Sequence, residues 1–147
     1  MACPYFVPRE IVYDIAWPHP ARLPLGAGWS GGCCASDSNA DADASTPIAV
    51  DNDSLRDFCN LGYASACPHI PPARDWDAVR FSVAGSAAQQ ITLFYVCEKN
   101  HAPIAHGTMT YDLARKAWRD PHADARVHRL ANSYLQAYRV RQSGSLI

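Results

Sequence analysis

The cysteines and prolines of this 147-residue chain are concentrated in its first half. Five of the six cysteines and nine of the eleven prolines lie in residues 1–75. Proline fixes φ and has no backbone N–H, so a segment rich in it rarely forms long helices or central strands. We therefore expect residues 1–75 to be loop-rich and irregular. Something other than periodic secondary structure has to order them.

Residues 76–147, in contrast, have the periodicity of regular secondary structure. Ala78–Val83 alternates between apolar and polar residues, and Gln90–Glu98 and Ile104–Tyr111 are two more β-rich segments. Short turn-forming stretches separate the three segments. This pattern predicts an antiparallel meander of about three to five strands. Met109 and Tyr111 are expected on the same face of it.

A helix is predicted to follow the meander, over about residues 121–141. Asp120 would be its N-cap and Pro121 its first helical residue. An apolar stripe at helical spacing should cover one face of the sheet. The stripe consists of Val127, Leu130, Ala131, Tyr134, Leu135 and Tyr138, and Arg126, Arg129 and Arg139 fall largely outside it.

These elements predict one α+β domain over residues 1–147, because chains of this length usually form a single domain. Its first part, residues 1–75, is the expected metal- or cluster-binding half. That half contains a polar, acidic loop over residues 36–53, which we expect to be mobile. A short strand over Ile11–Ala16 and a short helix over Ser54–Asn60 are expected on either side of this loop.

The overall charge and hydropathy exclude some classes of protein. The formal net charge is −1, whereas a protein held to nucleic acid by bulk charge should be strongly basic. No apolar run approaches the roughly 20 residues that span a bilayer, and the first residues do not resemble a signal peptide. We therefore expect a cytoplasmic protein with no nucleic-acid partner and no membrane insertion. In a reducing compartment, its cysteines are more often ligands, reactive thiols or core residues than disulfides.

Four cysteine positions in the first half have the local sequence of metal ligands. They are Cys3, the Cys33–Cys34 pair, Cys59 and Cys67. Cys3 and Cys67 each precede a proline, and Cys-Pro also ends the common bacterial ferredoxin ligand run. Two glycines precede Cys33, so the backbone there can approach a ligand closely. Aromatic residues within a few positions of these cysteines could shield a cluster, namely Tyr5, Phe6, Trp29, Phe58 and Tyr63.

The spacing of these cysteines favours a cluster over a single ion. Structural zinc sites usually contain ligand pairs two to four residues apart, and this half contains no C-x-x-C pair. A chain that wraps a bulkier group can use wide gaps, so we expect Cys3, Cys33, Cys59 and Cys67 to bind one [4Fe-4S] cluster. Zinc in the same site and no metal at all remain alternatives. Cys34 or His69 could replace one ligand, and Cys97, in an apolar strand, is expected to be a core residue.

Several of these segments resemble an uncharacterised family of small bacterial four-cysteine proteins. The resemblance rests on Cys3–Phe6, Arg22–Gly26, Gly31–Cys33, Cys59–Ala64 and Cys67–Pro68, and continues into Asp77–Phe81 and Tyr95–Val96. It implies that Cys3, Cys33, Cys59 and Cys67 belong to one set, as in [4Fe-4S] cluster-binding proteins. It implies no particular activity.

The expected function is therefore a small iron–sulfur protein. Four thiolates saturate a four-iron cluster and leave no iron open to substrate, which favours an electron carrier or an accessory subunit of a larger redox protein over an enzyme. A structural zinc-binding adaptor is the first alternative. A cysteine-dependent enzyme, with His69 or another histidine as base, is the second, and we assign no catalytic residue.

Overall fold

The computed structural model describes residues 3–12, 24–33, 48–49, 53, 59–60, 67, 74–87, 89–100 and 102–142, with residues 48–49 as backbone only. It contains two antiparallel sheets and one C-terminal helix. The predicted α+β class is confirmed. Within the described residues, no helix is both long and apolar enough to cross a membrane.

The second half forms the predicted meander. Its strands are β4 (Ala78–Ala87), β5 (Gln90–Lys99), β6 (Ala102–Asp112) and the short β7 (Ala117–Trp118), paired in sequence order. Alternation along β5 places Ile91, Leu93 and Cys97 in the core. Met109 is also buried there, and Tyr111 packs against the same core, as their shared face predicts.

The helix, α1, covers Ala125–Gln142 and begins later than predicted. The Asp120-Pro121 signature for its start was wrong. Asp124 is the residue that caps it, because its Oδ1 accepts the backbone N–H of Arg126 at 2.8 Å. Asp120 instead accepts the backbone N–H of Thr110 at 2.6 Å and so belongs to the edge of the meander. The predicted apolar stripe does pack into the core, with Val127, Leu130 and Ala131 fully buried.

The first half contains a second sheet that the sequence pattern did not predict. Its strands are β1 (Phe6–Ile11), β2 (Trp29–Cys33) and β3 (Ile48–Ala49), in the order β1-β2-β3. Of the strand expected over Ile11–Ala16, Ile11 is the last residue of β1 and Val12 is not strand. Residues 13–16 lie outside the described residues.

Two other predicted elements of the first half are only partly covered by the structure. Within the expected loop 36–53, Ile48 and Ala49 pair with Cys33 and Gly32 of β2, so these two residues are strand. Apart from Asp53, the rest of that loop lies outside the described residues. So does most of the expected helix over Ser54–Asn60, of which only its last two residues are described.

The two sheets and α1 share one hydrophobic core. Buried residues from β1, β2 and the turn before β2 belong to the same cluster as those of the meander and helix: Phe6, Leu25, Ala27 and Trp29 with Val79, Leu93, Met109, Leu130 and Leu135. The cluster also includes Cys3, Cys59 and Cys97. The cysteine-bearing half is thus packed on the regular half.

Candidate metal centre

Cys3 begins a tight buried turn that leads into β1. The backbone N–H of Phe6 donates to the Cys3 carbonyl at 3.1 Å, and Cys3, Pro4 and Tyr5 are all buried. The register of the first sheet places Cys33, at the end of β2, opposite Phe6. Turn and register together bring residues 3 and 33 to the same end of this sheet.

The pKa of Cys3 identifies its neighbours. Burial raises the pKa of this thiol to about 12, and the nearby thiols of Cys33 and Cys67 act in the same direction. The backbone N–H groups of Tyr5 and Phe6 hydrogen-bond to the sulfur and lower the pKa, but burial outweighs them. Cys33 and Cys67, from two other chain segments, therefore lie close enough to the buried Cys3 thiol to affect its ionisation.

Cys59 is buried in the same core cluster and is held through its neighbour. The Asn60 side chain, 1% exposed, pairs with the Trp29 backbone on β2. Its Oδ1 accepts the Trp29 N–H at 2.9 Å, and its Nδ2 donates to the Trp29 carbonyl at 3.0 Å. These bonds fix Asn60 at the first residue of β2, whereas Cys33 is the last residue of that strand.

The close approach of β1 and β2 explains the glycines before Cys33. A Cβ added to Gly31 would lie 1.9 Å from the carbonyl oxygen of Val7. Only glycine fits at that position without moving the two strands apart. The glycine pair thus allows the strand pairing that presents Cys33, and it has no need to contact a metal itself.

Two arginines of α1 hold the Cys3 turn, a role that the sequence pattern did not predict. The Arg129 Nη2 lies 3.4 Å from the carbonyl oxygens of both Pro4 and Phe6. The Arg126 guanidinium lies 5.2 Å from the Tyr5 ring centre and 4.4 Å from that of Trp76. Such stacks of a cation on an aromatic face are stabilising, more so when they are desolvated.

Arg126 is buried, although the helical pattern placed it outside the apolar stripe. Its charge is balanced by Asp124 at 3.0 Å and by the exposed Asp75 at 3.6 Å. The signal available in the sequence was its position two residues after a capping aspartate and directly before Val127. A charged residue at the start of an apolar stripe can be buried if groups of opposite charge lie beside it in the folded protein.

The remaining candidate residues are placed as follows. Cys97 is a core residue, as predicted, with burial raising its pKa to about 11. A nucleophilic cysteine requires a lowered pKa, so the environments of Cys3 and Cys97 do not suit a cysteine nucleophile. Cys34 and His69, the alternate ligands, lie outside the described residues.

The thiols are gathered but do not enclose a single ion. In the part of the chain that the structure describes, no group of three or more His, Cys, Asp or Glu side chains is arranged to hold a metal ion. The donors suit a soft metal in type, because all four are thiols, and Cys3 and Cys59 are buried. Ligation would require Cys33, Cys59 and Cys67 to close further around Cys3.

Away from the cysteines, a surface groove of about 480 Å³ runs along α1. It is lined by Tyr111 of β6 and by one stripe of the helix, namely Asn132, Leu135, Gln136, Arg139 and Val140. Comparisons of the chain with protein families, curated proteins and solved structures found no match. The resemblance to small bacterial four-cysteine proteins therefore stays a prediction.

Proposed function

We propose that this protein holds one [4Fe-4S] cluster through Cys3, Cys33, Cys59 and Cys67 and serves as a small electron carrier or accessory redox subunit. The observation that carries the proposal is the environment of Cys3, a buried thiol that feels the charge of the Cys33 and Cys67 thiols. A larger redox protein in the cytoplasm is the proposed partner.

The electrostatics of the buried thiols favour a bound cation. Ionising Cys3 alone is unfavourable because burial removes water and the nearby thiols would add like charge. A metal centre reverses this balance, since a coordinating thiol is deprotonated outright. The N–H groups of Tyr5 and Phe6 would then donate to a ligand sulfur, and such bonds help to set the reduction potential of an iron–sulfur cluster.

The choice of a cluster over zinc rests on the spacing of the ligands in the sequence. Cys3, Cys33 and Cys59 come from well-separated segments and include no C-x-x-C pair of the kind that structural zinc sites use. A multi-iron cluster accepts ligands from a wider perimeter than one tetrahedral ion. A bound cluster would supply one-electron redox chemistry, and the protein would supply its apolar shell.

Anaerobic purification tests this proposal. We expect brown protein with about four iron and four sulfide per chain, the content of this cluster type. Cys59→Ser and Cys67→Ser should each remove the colour and most of the iron. Cys97→Ser is the matched control, because it changes a buried thiol that lies in the meander, and it should retain the iron.

The other outcomes separate the alternatives. Stoichiometric zinc without sulfide would replace this proposal with the zinc-binding adaptor. Protein that is free of metal and whose thiols at positions 3, 33 and 67 remain unreactive in the folded state would exclude both metal functions. Circular dichroism of each variant would show whether a loss of metal reflects a lost ligand or a lost fold.

A further inference from the structure

The outer edge of β6 is unpaired over most of its length in the described structure. β6 has eleven residues, but the two residues of β7 pair only with Tyr111 and Asp112 at its end. Among the described residues, no strand pairs with the outer edge of Ala102–Met109. The side chains of residues 102–106 are all exposed, on both faces of the strand. This part of β6 extends beyond the core.

The hydrogen bonds of Thr110 show which backbone groups point outward. Its N–H donates to Asp120, and its carbonyl accepts the N–H of Arg119 at 2.8 Å, so both groups point away from β5. A strand has a period of two residues. The N–H and C=O groups of Thr108 and His106 therefore point to the same outer edge, where water is their expected partner.

Beyond its first residues, this edge lacks the usual protection against pairing. Native proteins guard edge strands with charges, bulges or proline. Ala102–Met109 contains no Asp, Glu, Lys or Arg, and Ile104, at 53% exposure, is the large hydrophobic side chain that the described residues expose. Pro103 and the bulge at Ile104, between Pro103 and Ala105, limit only the start of the edge, before His106 and Thr108. By contrast, the other edge strand of this sheet, β4, has the exposed Arg80 and a bulge between Val83 and Gly85.

We propose that this edge pairs with the same edge of a second copy of the chain, which would join two meanders into one continuous sheet. In an antiparallel pairing centred on Gly107, His106 of one copy lies opposite Thr108 of the other. All four outward groups of these two residues then find partners. The arrangement is two-fold symmetric, so one patch serves both subunits.

The residues at the centre favour a second copy over another occupant. An antiparallel pairing of the strand with itself brings no like charges together, because the strand carries no Asp, Glu, Lys or Arg. Gly107 would lie on the two-fold axis, where two strands approach closely. The Tyr95 side chain covers it, since a Cβ there would lie 2.8 Å from the Tyr95 hydroxyl. A bulkier residue at this position would displace that ring.

Sedimentation equilibrium of the full chain tests the proposal over a series of concentrations up to the millimolar range. The mass should rise with concentration from 16.1 kDa towards twice that value. Thr108→Pro removes an outward N–H without removing a hydrogen bond to β5, so it should leave only the monomer. Thr108→Val keeps the N–H and is the matched control, and it should dimerise like the parent.

A second measurement does not depend on a variant that folds. In the parent protein, the amides of His106 and Thr108 should exchange with solvent more slowly as the concentration rises. A monomer at every concentration would overturn the proposal. So would a dimer that Thr108→Pro leaves intact. Concentration-independent protection of these two amides in a monomer would assign the edge to another segment of the same chain.

Discussion

The meander and the cysteine-bearing sheet are both antiparallel, but they are held together in different ways. β4, β5 and β6 are ten or eleven residues long, follow one another along the chain and pair along most of their length. β1, β2 and β3 have six, five and two residues and are joined by long connections. Pairing distant strands costs more chain entropy than closing a tight turn. The short sheet therefore needs additional contacts.

In the described residues, three kinds of contact provide this additional stabilisation of the first sheet. Gly31 lets β1 and β2 approach, Asn60 pairs with the Trp29 backbone, and Arg126 and Arg129 fix the Cys3 turn to the helix. Each is a single specific interaction and not part of a repeating pattern. The candidate site thus lies in the region whose order depends on individual residues, and the meander and helix provide its support.

The largest loss of stability is expected from adding one carbon atom to the first sheet. In Gly31→Ala, the new Cβ would meet the Val7 carbonyl oxygen at 1.9 Å and the Val7 carbonyl carbon at 2.9 Å. Both are backbone atoms that cannot rotate away. We expect the free energy of unfolding to fall by about 3 kcal/mol, the upper end for overpacking. Urea unfolding followed by tryptophan fluorescence measures it.

Gly85→Ala in β4 is the control, because a Cβ there meets nothing within 4 Å. Glycine weakens a strand by about 0.5–1 kcal/mol relative to alanine, so this variant should be neutral or slightly more stable. Equal losses of stability in Gly31→Ala and Gly85→Ala would show that the first sheet tolerates separation of β1 and β2. The proposed difference between the two regions would then be wrong.

A smaller effect is expected from Asn60→Ala. The substitution removes both hydrogen bonds to the buried Trp29 backbone, and a buried group left without its partner costs about 1–3 kcal/mol. The control is Asn132→Ala, which removes an exposed acceptor for the Trp118 indole N–H and should cost less than about 1 kcal/mol. Thermal unfolding of both variants checks this order, and a larger loss in Asn132→Ala would contradict it.

The regular half could be predicted because its structure is local. The alternation in β5 and the spacing from Val127 to Leu135 describe faces that pack in the same way in many contexts. The start of α1 was misplaced because Asp120-Pro121 and Asp124 offer competing caps. Only the three-dimensional position of Thr110, which takes the Asp120 side chain, decides between them.

The first sheet could not be predicted because its strands lack the alternation of apolar and polar residues that usually indicates a strand. β1 contains Pro8 and β2 contains two glycines, which are signals of loops and turns. Residue type and local sequence singled out Cys3, Cys33, Cys59 and Cys67 as a ligand set, which stays a prediction. The support that Arg126 and Arg129 give to the Cys3 turn depends on where α1 packs, and no local spacing in the chain specifies that.

The attachment of the Cys3 turn to α1 should also depend on pH. The change in stability expected here is the smallest of the three that we predict. Burial alone would raise the pKa of Asp124, but its hydrogen bonds to the Arg126 side chain and backbone, together with the Arg126 charge, lower it below its ordinary value of 3.8. A carboxylate whose pKa is lower in the folded state stabilises the fold above its unfolded pKa. That contribution is lost as the pH falls through the folded value.

Asp124→Asn keeps an acceptor at the helix start but removes the charge beside the buried Arg126. At neutral pH we expect it to lower the free energy of unfolding by about 1 kcal/mol, in the range of a lost cap or of a charged hydrogen bond. The difference from the parent should shrink as the pH falls through the lowered pKa of Asp124, because the parent carboxyl then becomes protonated too. Asp112→Asn is the control, because its partner Arg115 is 83% exposed and such surface pairs contribute little. If the difference persisted undiminished in acid, the Asp124–Arg126 ion pair would not be what fastens the Cys3 turn to the helix, and the aromatic stack on Tyr5 and Trp76 would have to do so alone.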